Sequence, residues 1–312
     1  MIRLLKKLTL FAFIIVLLIS VLLFYLYKIG GNDLPAPAYS NSISFNEKID
    51  FLKNKDLAKI KIAAIGSSMT LNNIDSKIIE NNLGENYINL GSWGFKISDT
   101  EEYLKNMIEL LPELNTVIIS TTFVDFSSTT RNIEVDYDLV RKTLAYDLNL
   151  IAYALSFDLK YLFNHSKTNS DKMKEKGSYD ILKFDNFGGV ILDIEQKDIL
   201  PERWNNKITK FDVSADELEH LKELIQFLKS KNVRTVIAVP PQREGLTDKN
   251  ELAIIMQDID KIEAVTRSTG AIFVNSFDQG NWPDSLFVDY CHLNKEGASR
   301  FTDYIVSSIN LP

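Results

Sequence analysis

Three histidines in 312 residues leave few candidates for a general base, and one stands apart. His292 lies in Val288-Asp289-Tyr290-Cys291-His292-Leu293-Asn294, with Asp289 three residues upstream. One short loop of that spacing can bring a carboxylate to an imidazole, where it fixes the tautomer and favours the imidazolium formed during proton transfer. The same spacing also suits a capping aspartate beside an incidental histidine. His165 sits in a polar stretch, and His220 falls off the apolar stripe of its helix, which reads as a solvated position. The candidate nucleophiles are Ser67 and Ser68 in Gly66-Ser67-Ser68-Met69-Thr70. A serine at a strand-to-helix turn shows its hydroxyl to solvent, beside free amides and a helix dipole that favour a developing oxyanion. A serine there also makes a good helix cap, so both roles stay open. The turn lacks the Gly-x-Gly-x-x-Gly of a dinucleotide site and the lysine of a P-loop. Cys291 is the lone cysteine, which excludes an intrachain disulfide and a cysteine-rich zinc site. No cofactor and no metal are expected.

These residues need elements to position them. Lys61–Ile65, Tyr87–Leu90, Thr116–Ser120, Val233–Val239 and Ala271–Val274 are short, unalternating apolar runs. Between them lie helical patterns: Ser67 to Ile79, a stripe of Tyr103, Leu104, Met107, Ile108 and Leu111 closed by Pro112, then Ala215–Lys229, about 250–268, and about 295–309. Strands alternating with helices, each strand apolar on both faces, predict an α/β fold: a flavodoxin-like, three-layer α/β/α sandwich around a parallel sheet. The stretch 127–212 breaks the rhythm. It reads as an insertion after the third strand, helical over 134–163 and polar over 164–178, lying over the carboxyl ends of the strands.

Residues 8–27 are an uncharged apolar run, long enough as a helix to cross a hydrocarbon core of ~30 Å. Arg3, Lys6 and Lys7 precede it and only Lys28 follows, which places Met1 in the cytoplasm and the bulk of the chain outside. The domain layout is therefore an anchor over 1–28, a stalk over 29–55 and one catalytic-type domain over 56–312. The net charge of -7 includes +4 from residues 1–28, leaving -11 beyond them. So acidic a domain repels phosphate backbones, and nucleic acid is excluded as a partner.

The order of these features resembles the GDSL/SGNH hydrolase family. Gly66-Ser67-Ser68 resembles its first block, Asn89-Leu90-Gly91-Ser92-Trp93-Gly94 its second, and Asp289-x-x-His292 its fifth. The resemblance implies the SGNH fold, with Ser68 as nucleophile, His292 as base, Asp289 as its orienting acid, and an oxyanion hole from the amides of Ser68 and Gly91. The third block departs from the family: Ser120-Thr121-Thr122-Phe123 stands where Gly-x-Asn-Asp is usual, leaving Thr122 to donate a hydroxyl. No Gly-x-Ser-x-Gly occurs, which argues against the α/β-hydrolase nucleophile elbow. The single anchor, Gly-Ser-Ser, the insertion and Val239-Pro240-Pro241 resemble the anchored envelope members of the family, of the lipoteichoic acid D-alanyl transfer (DltD-like) type. That implies acyl-ester chemistry on a cell-envelope polysaccharide or glycolipid, by hydrolysis or by transfer. A polytopic membrane O-acyltransferase is the partner such a layout implies. The alternative is a non-catalytic relative that binds a glycan or positions that acyltransferase.

Overall fold

The computed structural model describes residues 2–29, 38–84, 86–128, 133–145, 182–206, 213–243, 249–277 and 281–309. Five strands form its centre: β1 (Ile62–Ala64), β2 (Tyr87–Asn89), β3 (Thr116–Ser120), β4 (Arg234–Val239) and β5 (Ile272–Asn275). All pair in parallel, in the order β2-β1-β3-β4-β5. This is the flavodoxin-like order, with its topological switch point between β1 and β3.

The helices are α1 (Ile2–Ile29), α2 (Ile43–Leu52), α3 (Ser68–Asn73), α4 (Ser76–Leu83), α5 (Ile97–Met107) and α6 (Tyr137–Leu144). After them come α7 (Pro201–Trp204), α8 (Ala215–Ser230), α9 (Lys249–Thr269) and α10 (Lys295–Ile309). Successive strand residues feed two cores. Ala63, Val117, Ile119 and Ile237 meet α2, α5, α8 and α9 on one face, while Ala64, Ile118, Val236 and Val274 meet α4 and α10 on the other. Burying both faces is why the strands read as unbroken apolar runs, each enclosed aliphatic side chain contributing ~1.5–3 kcal/mol.

Two expectations are corrected. Residues 43–52, assigned to the stalk, form α2, whose Phe45, Ile49 and Leu52 are core residues. The helix expected from Ser67 to Ile79 is two helices, because Ile74 is extended and Asp75 caps α4, accepting the Lys77 amide hydrogen. In the insertion, helix is found over Tyr137–Leu144, and residues 146–181 lie outside the described residues. The insertion's later part packs behind the first turn of the fold: the Val190 amide donates to Leu71 O, and Asn72 Nδ2 donates to Val190 O. Within α1, Arg3–Leu22 is long and apolar enough to cross a membrane, and none of it is buried. A signal sequence has the same character.

Candidate active site

The loops at the carboxyl ends of β1 and β3, on either side of the switch point, converge with the loop that precedes α10. Gly66 leaves β1 at φ +140°, and a Cβ there would lie 2.8 Å from Thr70 Oγ1, so the turn requires glycine. Thr70 Oγ1 bridges the two strand ends, its one proton shared between Ile65 O (3.0 Å) and Ser120 O (2.9 Å) while its oxygen accepts the Ser120 amide hydrogen. The two serines are placed differently. Ser67 is the cap of α3, its Oγ accepting the Met69 amide hydrogen (3.2 Å). Ser68 is the first helical residue, half-buried, with Oγ 2.8 Å from His292 Nε2.

His292 Nδ1 lies 2.8 Å from Asp289 Oδ2. A carboxylate can only accept, so Nδ1 carries the hydrogen and Nε2 offers its lone pair to Ser68. The other Asp289 oxygen accepts the amide hydrogens of Cys291 (2.9 Å) and His292 (2.8 Å). Asn73 pins this loop to α3, donating to Cys291 O and accepting the Leu293 amide hydrogen. Burial alone would raise the Asp289 carboxyl. The charge and hydrogen bond of His292, with the two amides, override it and hold the group well below the usual carboxylate range. Burial beside Asp289 pushes the Cys291 thiol up, which keeps it an inert packing group.

The expected oxyanion donors fare differently. The Ser68 amide opens α3, where helical amides lack intrahelical acceptors. The Gly91 amide is engaged: it donates to Asn89 Oδ1 (2.9 Å), an Asx turn that removes it from the expected oxyanion hole. Thr122 is 2% exposed, and its Oγ1 has no hydrogen-bond partner among the described residues. His220, expected to be solvated, pairs with buried Glu101 (2.6 Å). His165 lies outside the described residues.

Two side chains at or beside this site were missed in the sequence. Asp125 accepts hydrogen bonds from Ser67 and Thr121, and the pattern Thr122-x-x-Asp125 is a capping-box signal that could have exposed it. Fully buried Lys48 donates to Asn89 O and Gly188 O, tying α2 and the insertion to the end of β2. Burial lowers its ammonium to about 7, with Asp185 pulling the other way. No sequence signal marks it. Among the described residues, two clusters bring three ligand-type side chains within 4.8 Å of one another. Asp289, Cys291 and His292 form the loop just described, whose Nε2 faces Ser68. In the other, with His220 and Glu223, Glu101 is already bonded to Lys105 and His220.

A parallel α/β/α sheet carrying Ser–His–Asp on two loops at one end defines a class of site rather than an individual protein. No family model matches the sequence, and no curated protein matches it. Solved structures do resemble it. A variant of Axe2, an acetylxylan esterase from Geobacillus stearothermophilus, is 12% identical over 82% of this chain and 96% of that one, with a TM-score of 0.43. LAE5, an α/β hydrolase enzyme from the metagenome of Lake Arreo, gives 12% over 80% and 95%, at 0.43. A protein of the G-D-S-L family from Desulfitobacterium hafniense gives 11% over 80% and 98%, at 0.42. Likeness of this order carries no chemistry across. The roles of the residues are read from this chain alone.

Proposed function

We propose that this chain is a membrane-anchored, extracytoplasmic serine esterase or O-acyltransferase of the GDSL/SGNH type. Its substrate is an acyl ester of a cell-envelope polysaccharide or glycolipid. The observation that carries the reading is the continuous line Ser68 Oγ, His292 Nε2, His292 Nδ1, Asp289 Oδ2, with 2.8 Å at both contacts. Ser68 Oγ attacks the acyl carbonyl as His292 takes its proton, and Asp289 stabilises the imidazolium. The Ser68 amide and the Thr122 hydroxyl bind the oxyanion. His292 returns the proton to the departing alcohol, leaving an acyl-serine. Water then completes hydrolysis, or an acceptor hydroxyl completes transfer, and His292 activates either one. The envelope substrate, and a polytopic membrane O-acyltransferase as partner, are supported by the apolar α1 with basic residues before it.

A second reading, a non-catalytic protein that binds a glycan or positions the acyltransferase, is favoured by the engaged Gly91 amide and by Thr122 in place of asparagine. One experiment separates them: intact-mass analysis of the full chain after exposure to a fluorophosphonate or an aryl acetate. The esterase reading expects a single adduct on Ser68, absent from Ser68→Ala. An unmodified wild-type chain supports the binding reading and ends the catalytic one.

A further inference from the structure

Asp125 is buried in the turn after β3 and takes no part in the triad. One of its oxygens, Oδ2, accepts three hydrogen bonds: from Ser67 Oγ (2.8 Å), Thr121 Oγ1 (2.9 Å) and the Thr122 amide (3.1 Å). A serine hydroxyl has one proton to give. Ser67 gives it to Asp125, and its oxygen is thereby turned to accept the Met69 amide hydrogen. The cap of the nucleophile helix is therefore oriented by a carboxylate 58 residues further along the chain. That same oxygen holds the backbone of Thr122, whose hydroxyl has no partner among the described residues.

Pairing of β1 with β3, and the Thr70 bridge, align the two strands as far as Ile65 and Ser120. Beyond those residues, among the hydrogen bonds that join the two loops, the ones through Asp125 tie Ser67 to Thr121 and Thr122. Burial pushes the Asp125 carboxyl up to about 6, against its three hydrogen bonds and the charge of His292. The fold thus keeps a costly buried acid at this spot.

We propose that Asp125 is a positioning residue: by gripping Ser67 and Thr122 on one carboxylate oxygen, it sets the Ser68 nucleophile in register with the Thr122 hydroxyl. It touches neither the substrate nor the reacting atoms. The proposal rests on the esterase reading of the site.

The test measures kcat and KM for an aryl acetate, with thermal midpoints, on the full chain in detergent. Asp125→Ala is expected to lower kcat by ~10–100-fold, the order of loss from a misplacement of about 1 Å, with KM within about twofold. Asp125→Asn recovers most of that loss, because its carbonyl oxygen can accept the same three bonds. Ser67→Ala lowers kcat by about tenfold, and the double variant with Asp125→Ala is no slower than Asp125→Ala alone, because the two act as one unit. Wild-type kcat in Asp125→Ala, losses that multiply in the double variant, or an asparagine no better than alanine would overturn the proposal. If Asp125→Ala does not fold, Ser67→Ala decides: unchanged kcat there overturns it equally. A wild-type chain without Ser68-dependent turnover sinks the esterase reading and this proposal with it. An active wild type matched by Asp125→Ala sinks the proposal alone.

Discussion

On the proposed esterase reading, the adjacent and chemically identical Ser67 and Ser68 have opposite roles, so replacing each by alanine should split activity from stability. Ser68→Ala removes a half-buried hydroxyl whose one described partner, His292 Nε2, then faces the opened site. No cap is lost and no cavity of consequence is made, so the cost should be about 0.5 kcal/mol or less. Turnover should fall by ~10⁴-fold or more, as for a missing triad nucleophile. Ser67→Ala loses the α3 cap, about 1 kcal/mol, and a hydroxyl donated to a carboxylate, about 2 kcal/mol. Their sum, about 3 kcal/mol, corresponds to a drop of roughly 6–12 °C in the midpoint for a domain of this size. Activity should fall only about tenfold. Scanning fluorimetry and aryl-acetate hydrolysis on the same preparations read both quantities. If Ser67→Ala abolishes turnover at an unchanged midpoint, or Ser68→Ala lowers the midpoint and keeps its activity, the roles are reversed and the reasoning fails.

Asp289→Asn should slow turnover by up to ~10⁴-fold, because an amide NH₂ facing His292 Nδ1 selects the wrong tautomer. It should also flatten the acid limb of stability: the Asp289 carboxyl is held below its unfolded value near ~3.9, so its contribution is present above that pH and lost as the wild type is acidified. Lys48 has the same sign in a higher pH window. Its ammonium is lowered to about 7, so from there to ~10.4 the unfolded chain holds a proton the folded one lacks, and stability should climb by about 1.4 kcal/mol per pH unit. Denaturant midpoints of Lys48→Met, compared across that range, should lack the climb. Protease added outside intact cells should cleave the part of the chain beyond residue 29 and spare Met1; a main cellular species that begins after residue 38 would count against the anchor.

What could be read in the sequence was whatever depends on neighbours along the chain. The strands are apolar on both faces, and Asp289 and His292 share one loop, so spacing revealed them. The choice of Ser68 over Ser67 came from the resemblance to the family's first block and not from local pattern, because both suit a strand-to-helix turn and Asp125, which engages Ser67, is far away in sequence. Gly91 misled for the opposite reason: Asn89, two residues back, takes its amide, a local competition that Asn-x-Gly hints at. The helix α2 was hidden because Ser44, Asn46 and Lys48 are all buried among its apolar residues, which blurs the stripe. Each is satisfied at a distance: Ser44 by Ser92, Asn46 by Ser40, Lys48 by the carbonyls of Asn89 and Gly188.

Many buried polar atoms around Ser68 are paired, but Thr122 Oγ1, like Ser120 Oγ and Asn72 Oδ1, has no partner among the described residues. Thr70, Asn73, Asn89 and Asp125 each satisfy backbone or hydroxyl groups across the loops that meet there. Thr122 shares this network through its amide, yet its Oγ1 is buried with no partner among the described residues. Such a hydroxyl costs about 1–3 kcal/mol when nothing binds it. A substrate oxygen acquiring negative charge is the acceptor that would repay the cost, and only during reaction. Thr122→Val keeps the shape and the amide bond to Asp125 while deleting the orphan. It should leave the folded chain as stable as the wild type or more so, by up to about 1 kcal/mol, and lower kcat by ~10²-fold, as the loss of one oxyanion donor does. Opposite signs on stability and rate are the signature of a group kept for the transition state. A Thr122→Val chain that is clearly destabilised, or that turns over at the wild-type rate, would show that the hydroxyl is only packing.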